Sequence, residues 1–233
     1  MILENYYRIN NDRVLVSRQQ ASDFAKQVAN DFNPIHDVDS KRFCVPGDLL
    51  FGLVLDRYGL NQHMTFRFSG MVNDTIPLIF PDSGDDEITI RGENGKDYLH
   101  LERSGAHTSD PDVIEKLVKV YVAFSGQAFP HILVPLMERD GVMINPDRPL
   151  IIYESMEIHL DRLDLSDPEL KPAGTRLQVE GKRGRVALEF RLQDGNEIVG
   201  HGVKKMVLSG LRPFDAERMQ QVVEDYRRRQ TTG

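Results

Sequence analysis

Residues 46–59 read Pro-Gly-Asp-Leu-Leu-Phe-Gly-Leu-Val-Leu-Asp-Arg-Tyr-Gly. Leu49, Leu50, Phe51, Leu53, Val54 and Leu55 leave no polar stripe, and a helix that is apolar on nearly every side is one enclosed by other elements. Gly59 fits the position just past a helix end, where left-handed backbone closes the last turn. Gly52, in the middle, costs about 1 kcal/mol relative to alanine. Close packing against a sheet would account for it. The fold must therefore wrap this helix.

The flanking sequence supplies a sheet. YYRINNDRVLVS, from Tyr6 to Ser17, reads as a hairpin-like segment turning at Asn-Asn-Asp. Ser17 and Gln20 form a capping-box pattern ahead of a helix from Arg18 to Ala29, which ends before Asn33-Pro34. HMTFRFSGMV (63–72) alternates, and EITIRGENGKDYLHLERSG (87–105) is a strand pair around Asn94-Gly95, a strong hairpin signal. A second long helix starts with Asp110 as N-cap and Pro111 at its first position. Pro130 and Pro135 should kink or break it, and Gly141 should end it. LIIYESMEIHLDRL (150–163) and three further strands follow, with turns at Arg183-Gly184 and Asp194-Gly195. A short helix capped by Asp215 closes the chain before a frayed Thr-Thr-Gly.

A buried helix followed by an antiparallel meander thus occurs twice, in pattern and not in letters. This predicts an α+β protein. A helix wrapped by such a sheet is the layout of a hot-dog fold. The expected division is two hot-dog halves, 1–108 and 109–212, with a C-terminal helix and tail over 213–233. The second half is expected to be structural.

The first half holds the unusual stretch Asp31-Phe-Asn33-Pro34-Ile35-His36. Asn-Pro initiates a turn, which folds the imidazole back toward the carboxylate. A carboxylate and an imidazole in reach of one water make a general acid/base pair, suited to adding water to a double bond or the reverse. Asn33 is a candidate for orienting the pair or the substrate. The N-terminus of the apolar helix offers free N–H groups and partial positive charge. Gly47 and Asp48 are therefore substrate-binding candidates, their N–H groups facing an enolate-like oxygen. A thioester carbonyl is the natural guest. The bland alternative is equally concrete: Asp31 closes a turn, His36 is a surface residue, and Pro46-Gly47 merely starts a helix.

Composition bounds the rest. The 233 residues are 40% hydrophobic and 28% charged, enough for a sizeable core. A net charge of −7 argues against nucleic acid as a partner. No run approaches a membrane span, no signal peptide is legible, and the single Cys44 excludes an internal disulfide. These features suggest a cytoplasmic protein. The seven histidines show no metal-binding spacing, so neither a metal site nor a cofactor is expected. RGENGK (91–96) lies in a hairpin and lacks the following Ser/Thr of a phosphate loop. Ser125 reads as a helix residue, Cys44 as packing, and Arg227–Arg229 as complementing a helix C-terminus.

With these residues in view, Asp31-x-Asn33-Pro34-Ile35-His36 resembles the signature of the MaoC-like, (R)-specific enoyl-CoA hydratase family. VPGDLLFG (45–52) is similar to the segment opening that family's central helix. The resemblance covers about 24–55. The whole chain also resembles an uncharacterised bacterial family of this length. The first resemblance implies a hot-dog fold and reversible hydration of a trans-2-enoyl thioester carried by coenzyme A or acyl carrier protein. It implies that Asp31 and His36 activate water, with Asn33 beside them. Gly47 would give its backbone N–H to the thioester carbonyl. A homodimer or a pairing of two halves in one chain would complete the sheet. Two other functions stay open: hydrolysis of the thioester on the same fold, and binding of acyl-CoA or a small ligand without catalysis.

Overall fold

A computed structural model describes residues 2–232. The first hairpin consists of β1 (Arg8–Asn10) and β2 (Arg13–Leu15). Its turn places Asn11 and Asp12 at φ 48° and 58°, a conformation that Asn and Asp tolerate better than most side chains. Next, α1 (Arg18–Asp23) begins with the Ser17–Gln20 capping box and runs directly into a π-helical turn over Phe24–Val28. The expected helix is present, but with two hydrogen-bonding patterns. The apolar helix is α2 (Gly47–Tyr58), ended by Gly59 at φ 75°. The strands β3 (Leu60–Phe68), β4 (Leu78–Ile79), β5 (Glu87–Gly92) and β6 (Asp97–Thr108) complete the first half.

The second half opens with α3 (Pro111–Gly126), where the Asp110 side chain accepts the Asp112 N–H at 2.9 Å. After it come α4 (Ala128–His131), α5 (Leu133–Arg139) and β7 (Val142–Met143). The helical run is interrupted around Pro130, as expected. Pro135 does not break it: the residue sits in the first turn of α5, where a missing N–H costs nothing. The long strands are β8 (Ile151–Leu160), β9 (Pro168–Glu180), β10 (Arg183–Asp194) and β11 (Glu197–Ser209). The turn expected at Arg183-Gly184 lies two residues earlier, at Gly181 (φ 59°), and Arg183-Gly184 opens β10 instead. After β12 (Arg212–Pro213), which pairs with β7, comes α6 (Ala216–Thr232). Asp215 caps it by accepting the Arg218 N–H at 3.0 Å. This helix is not a short one before a frayed tail. It runs to Thr232, and Gly233 lies outside the described residues.

Ten strands form one sheet in the order β1-β2-β4-β5-β6-β3-β8-β11-β10-β9, with every neighbouring pair antiparallel. Outward from the β3–β8 seam, each half follows the same path. The first strand of this sheet after the central helix comes first, then the fourth, then the two between in reverse, with β2 and β1 added at the edge of the first half. This is a double hot dog. The central helices α2 and α3 pack on each other, with Phe51 and Tyr121 rings 4.5 Å apart, and Phe51 also meets Phe66 of β3 at 5.0 Å. Gly52 is close-packed, but not against the sheet. An added Cβ would lie 2.8 Å from Leu3 Cδ1 and 3.4 Å from Val118 Cγ1, so the N-terminal segment and α3 are what demand the glycine. Among the described residues no helix is long and apolar enough to cross a membrane.

Candidate active site

The site begins with a turn. Asn30 takes φ 51° and stops the π-helical segment. The Asp31 N–H still reaches back to the Ala25 carbonyl at 2.8 Å. Asp31 Oδ1 accepts the Asn33 N–H at 2.9 Å, and Asn33 Oδ1 accepts the Ile35 N–H at 3.2 Å. Pro34 opens a single 3₁₀ turn ending at His36. Asn33 therefore builds the turn with its side-chain oxygen, which the Ile35 N–H already engages.

The link from His36 to α2 is pinned. The Cys44 N–H donates to Ile35 O at 3.1 Å and the Val45 N–H to Val72 O at 2.8 Å. His36 Nδ1 lies 2.6 Å from the Cys44 carbonyl oxygen. A carbonyl only accepts, so Nδ1 carries the proton and Nε2 is bare in the neutral ring. Nε2 lies 3.7 Å from Asp31 Oδ2, and only 12% of the His36 side chain is exposed. His36 is thus not a free surface residue. The turn-closing reading of Asp31 holds for one carboxylate oxygen, while the other faces the imidazole. Burial raises the Asp31 carboxyl above its ordinary range, against the opposing pull of His36 and the Asn33 N–H. The Cys44 thiol is pushed up to about 12 by burial and stays protonated at neutral pH, which supports packing over nucleophilic chemistry.

Asp31, Asn33, His36, Gly47 and Asp48 all line one cavity of about 480 Å³. Pro46, at the cap of α2, supplies no side-chain acceptor for the first N–H groups of the helix. The absent side chain of Gly47 has a packing reason. A Cβ there would lie 2.6 Å from Tyr153 Cδ1, so the glycine makes room for an aromatic ring. The Asp48 carboxylate is not free for a ligand either. Its Oδ2 accepts the Ser125 hydroxyl at 2.5 Å and its Oδ1 pairs with Lys204 Nζ at 3.2 Å.

Four lining residues were not expected at the site: Ser125, which is the helix residue it reads as, and Tyr153, Lys204 and Tyr226. Lys204 has a legible signal. On β11 it shares the inward face with Gly202, Met206 and Leu208, all buried, and a lysine on a buried strand face is rarely unpaired. Tyr226 arrives on α6. Its hydroxyl accepts the Phe32 N–H at 3.2 Å and donates to Asn30 O at 3.4 Å, holding both neighbours of Asp31. Arg229 of the same helix pairs with Asp37 at 2.6 Å. Tyr226→Phe strands the Phe32 N–H and should lower stability by about 1–3 kcal/mol, read from a denaturant titration.

Among the described residues no group of three or more His, Cys, Asp or Glu is placed to hold a metal ion. Fold and cavity together define a double hot-dog protein in which an acid–imidazole pair and the N-terminus of the first central helix line one cavity. The chain belongs to the family described as "Protein of unknown function (DUF3581)", whose model matches residues 1–217. No curated protein matches it. Among solved structures it is similar to a conserved hot-dog protein of Alicyclobacillus acidocaldarius, at 10% identity and TM-score 0.44, over 92% of this chain and 99% of that one. It is similar to the acyl-CoA thioesterase II TesB2 of Mycobacterium marinum, at 10% identity and TM-score 0.40, over 93% and 99%. A MaoC-like dehydratase aligns at 12% identity and TM-score 0.41, over 86% and 97%.

Proposed function

We propose that this protein catalyses reversible hydration of a 2-enoyl thioester to the 3-hydroxyacyl thioester. The observation that carries the reading is the bare His36 Nε2 facing Asp31 Oδ2 at 3.7 Å, inside the cavity that also receives the start of α2. In the hydration direction, Nε2 takes a proton from a water held between the two side chains. The hydroxyl oxygen bonds to the β-carbon, and the double-bond electrons move toward the thioester oxygen. The N-terminal N–H groups of α2, with Gly47 first, hold that oxygen as it becomes an enolate. The Asp31–His36 pair returns the proton to the α-carbon, so water is added without net loss of a proton. The acyl carrier is coenzyme A or acyl carrier protein.

The test follows the two bonds separately. The protein is incubated with crotonyl-CoA and longer enoyl-CoAs while loss of the conjugated double bond and release of free thiol are recorded in parallel. Loss of the double bond with no thiol release is the expected result. Thiol release without hydration would replace the reading with hydrolysis, and binding with neither would make the protein a non-catalytic binder.

A further inference from the structure

The cavity contains a second polar centre that the hydration reading does not use. Asp48 (8% exposed), Ser125 (7%) and Lys204 (4%) form a closed ring of contacts where α2, α3 and β11 meet. The Ser125 hydroxyl donates to Asp48 Oδ2 at 2.5 Å, Lys204 Nζ lies 3.2 Å from Asp48 Oδ1, and Nζ also contacts Ser125 Oγ. The Lys204 ammonium sits 3.9 Å from the centre of the Tyr153 ring, and Tyr153 is the ring that packs on Gly47. The Tyr153 hydroxyl meets that of Tyr121. A buried ammonium with a carboxylate, a hydroxyl and an aromatic face as partners is fully engaged. It is a poor candidate for gripping a ligand of its own.

Its value to the site is electrostatic. Asp48 is the only acid in the first turn of α2. An unpaired carboxylate there would oppose the positive end of the helix and repel both the Asp31 carboxylate and an enolate oxygen. We propose that Lys204 is a positioning residue: by pairing with Asp48 it makes a charge-neutral couple that leaves the start of α2 electropositive and sets the field felt by Asp31 from the opposite half of the chain. Its catalytic consequence rests on the hydration reading; its effect on Asp31 does not. Asp31 lines the same cavity as both charges, and Asp48 raises its carboxyl while Lys204 lowers it. The other groups facing Asp31 are His36, the Asn33 N–H and Tyr226.

The test uses the ligand-free full chain. The Asp31 carboxyl is titrated by ¹³C NMR, with Asp31→Asn assigning the signal, in wild type, Asp48→Asn, Lys204→Met and the double variant. Asp48→Asn should lower the midpoint and Lys204→Met should raise it. The double variant should return it close to wild type. A merely structural lysine would not give opposite shifts that cancel. Midpoints that stay put in both single variants, or move the same way, overturn the proposal. If Lys204→Met does not fold, as melting by circular dichroism would reveal, Asp48→Asn and the double variant still decide it, because the second must reverse the shift of the first. In the hydration assay Lys204→Met should lose about 10²-fold in kcat, the scale of one lost oxyanion donor, and the double variant should regain most of it. A wild type without hydration would end the functional reading and leave the titration to judge Lys204.

Discussion

Asp31→Asn and His36→Ala should each reduce hydration of enoyl-CoA by about 10²–10⁴-fold, the usual share of a positioned acid or base. The proposed mechanism requires both. His36 Nε2 is the bare nitrogen because Nδ1 is bound to the Cys44 carbonyl, and Asp31 Oδ2 is the oxygen left after Oδ1 closes the turn with Asn33. Asparagine keeps an oxygen for the Asn33 N–H and removes the ability to pass a proton. The same variant carries a stability signature. Burial raises the Asp31 carboxyl in the folded protein, so the folded state holds its proton to higher pH than the unfolded chain does. That contribution is complete below the ordinary carboxylate range and is lost as pH rises through the raised value. At neutral pH an ionised Asp31 is therefore a cost. Asp31→Asn should melt at the same temperature as wild type or higher at pH 7, while losing activity. A melting temperature that falls in this variant would mean that the carboxylate is held for structure.

Gly126→Ala should be the most disruptive glycine-to-alanine change among the described residues. Gly126 is the last residue of α3, and Ala29 follows the π-helical turn. An added Cβ would lie 1.6 Å from the Ala29 carbonyl oxygen and 2.7 Å from the Ala29 carbonyl carbon. Both obstacles are main chain, so no rotamer change relieves them, and the segment that must retreat leads within two residues to Asp31. A loss of about 4 kcal/mol or more is expected, with hydration lost even where folded protein is recovered. Denaturant unfolding measures the first and the enoyl-CoA assay the second. Gly84→Ala is the matching control: nothing lies within 4 Å of its added Cβ, and its effect should stay within about 0.5 kcal/mol.

Much of the fold was legible in local chemistry. The apolar run of α2, the capping box at Ser17, the Asp110-Pro111 start and the Asn94-Gly95 hairpin each depend on contacts within a few residues, and each reappears in the structure. The errors fell where local signals compete. Pro135 reads as a breaker unless a new helix happens to begin two residues before it, and the Gly181 and Gly184 turn signals are three residues apart, so only strand register chooses between them. The Asp31–His36 pair was legible because one turn of six residues brings its members together.

The remaining parts of the site depend on distances that no local pattern encodes. Lys204 and Ser125 reach Asp48 from 156 and 77 residues away, and Tyr226 reaches Phe32 from 194. Gly47 shows the difference most clearly. Its sequence context announces a helix start, but the reason it must be glycine is the ring of Tyr153 lying on it from the other half. The sequence by itself determined the two buried helices, the antiparallel strands and the acid–histidine turn, because propensity, capping and side-chain periodicity act over a few residues. Only the tertiary structure decided which charges neutralise one another inside the cavity and which helix covers it. Those outcomes depend on how the two half-sheets join at the β3–β8 seam and on where α6 returns to pack, both set by burial across the whole chain.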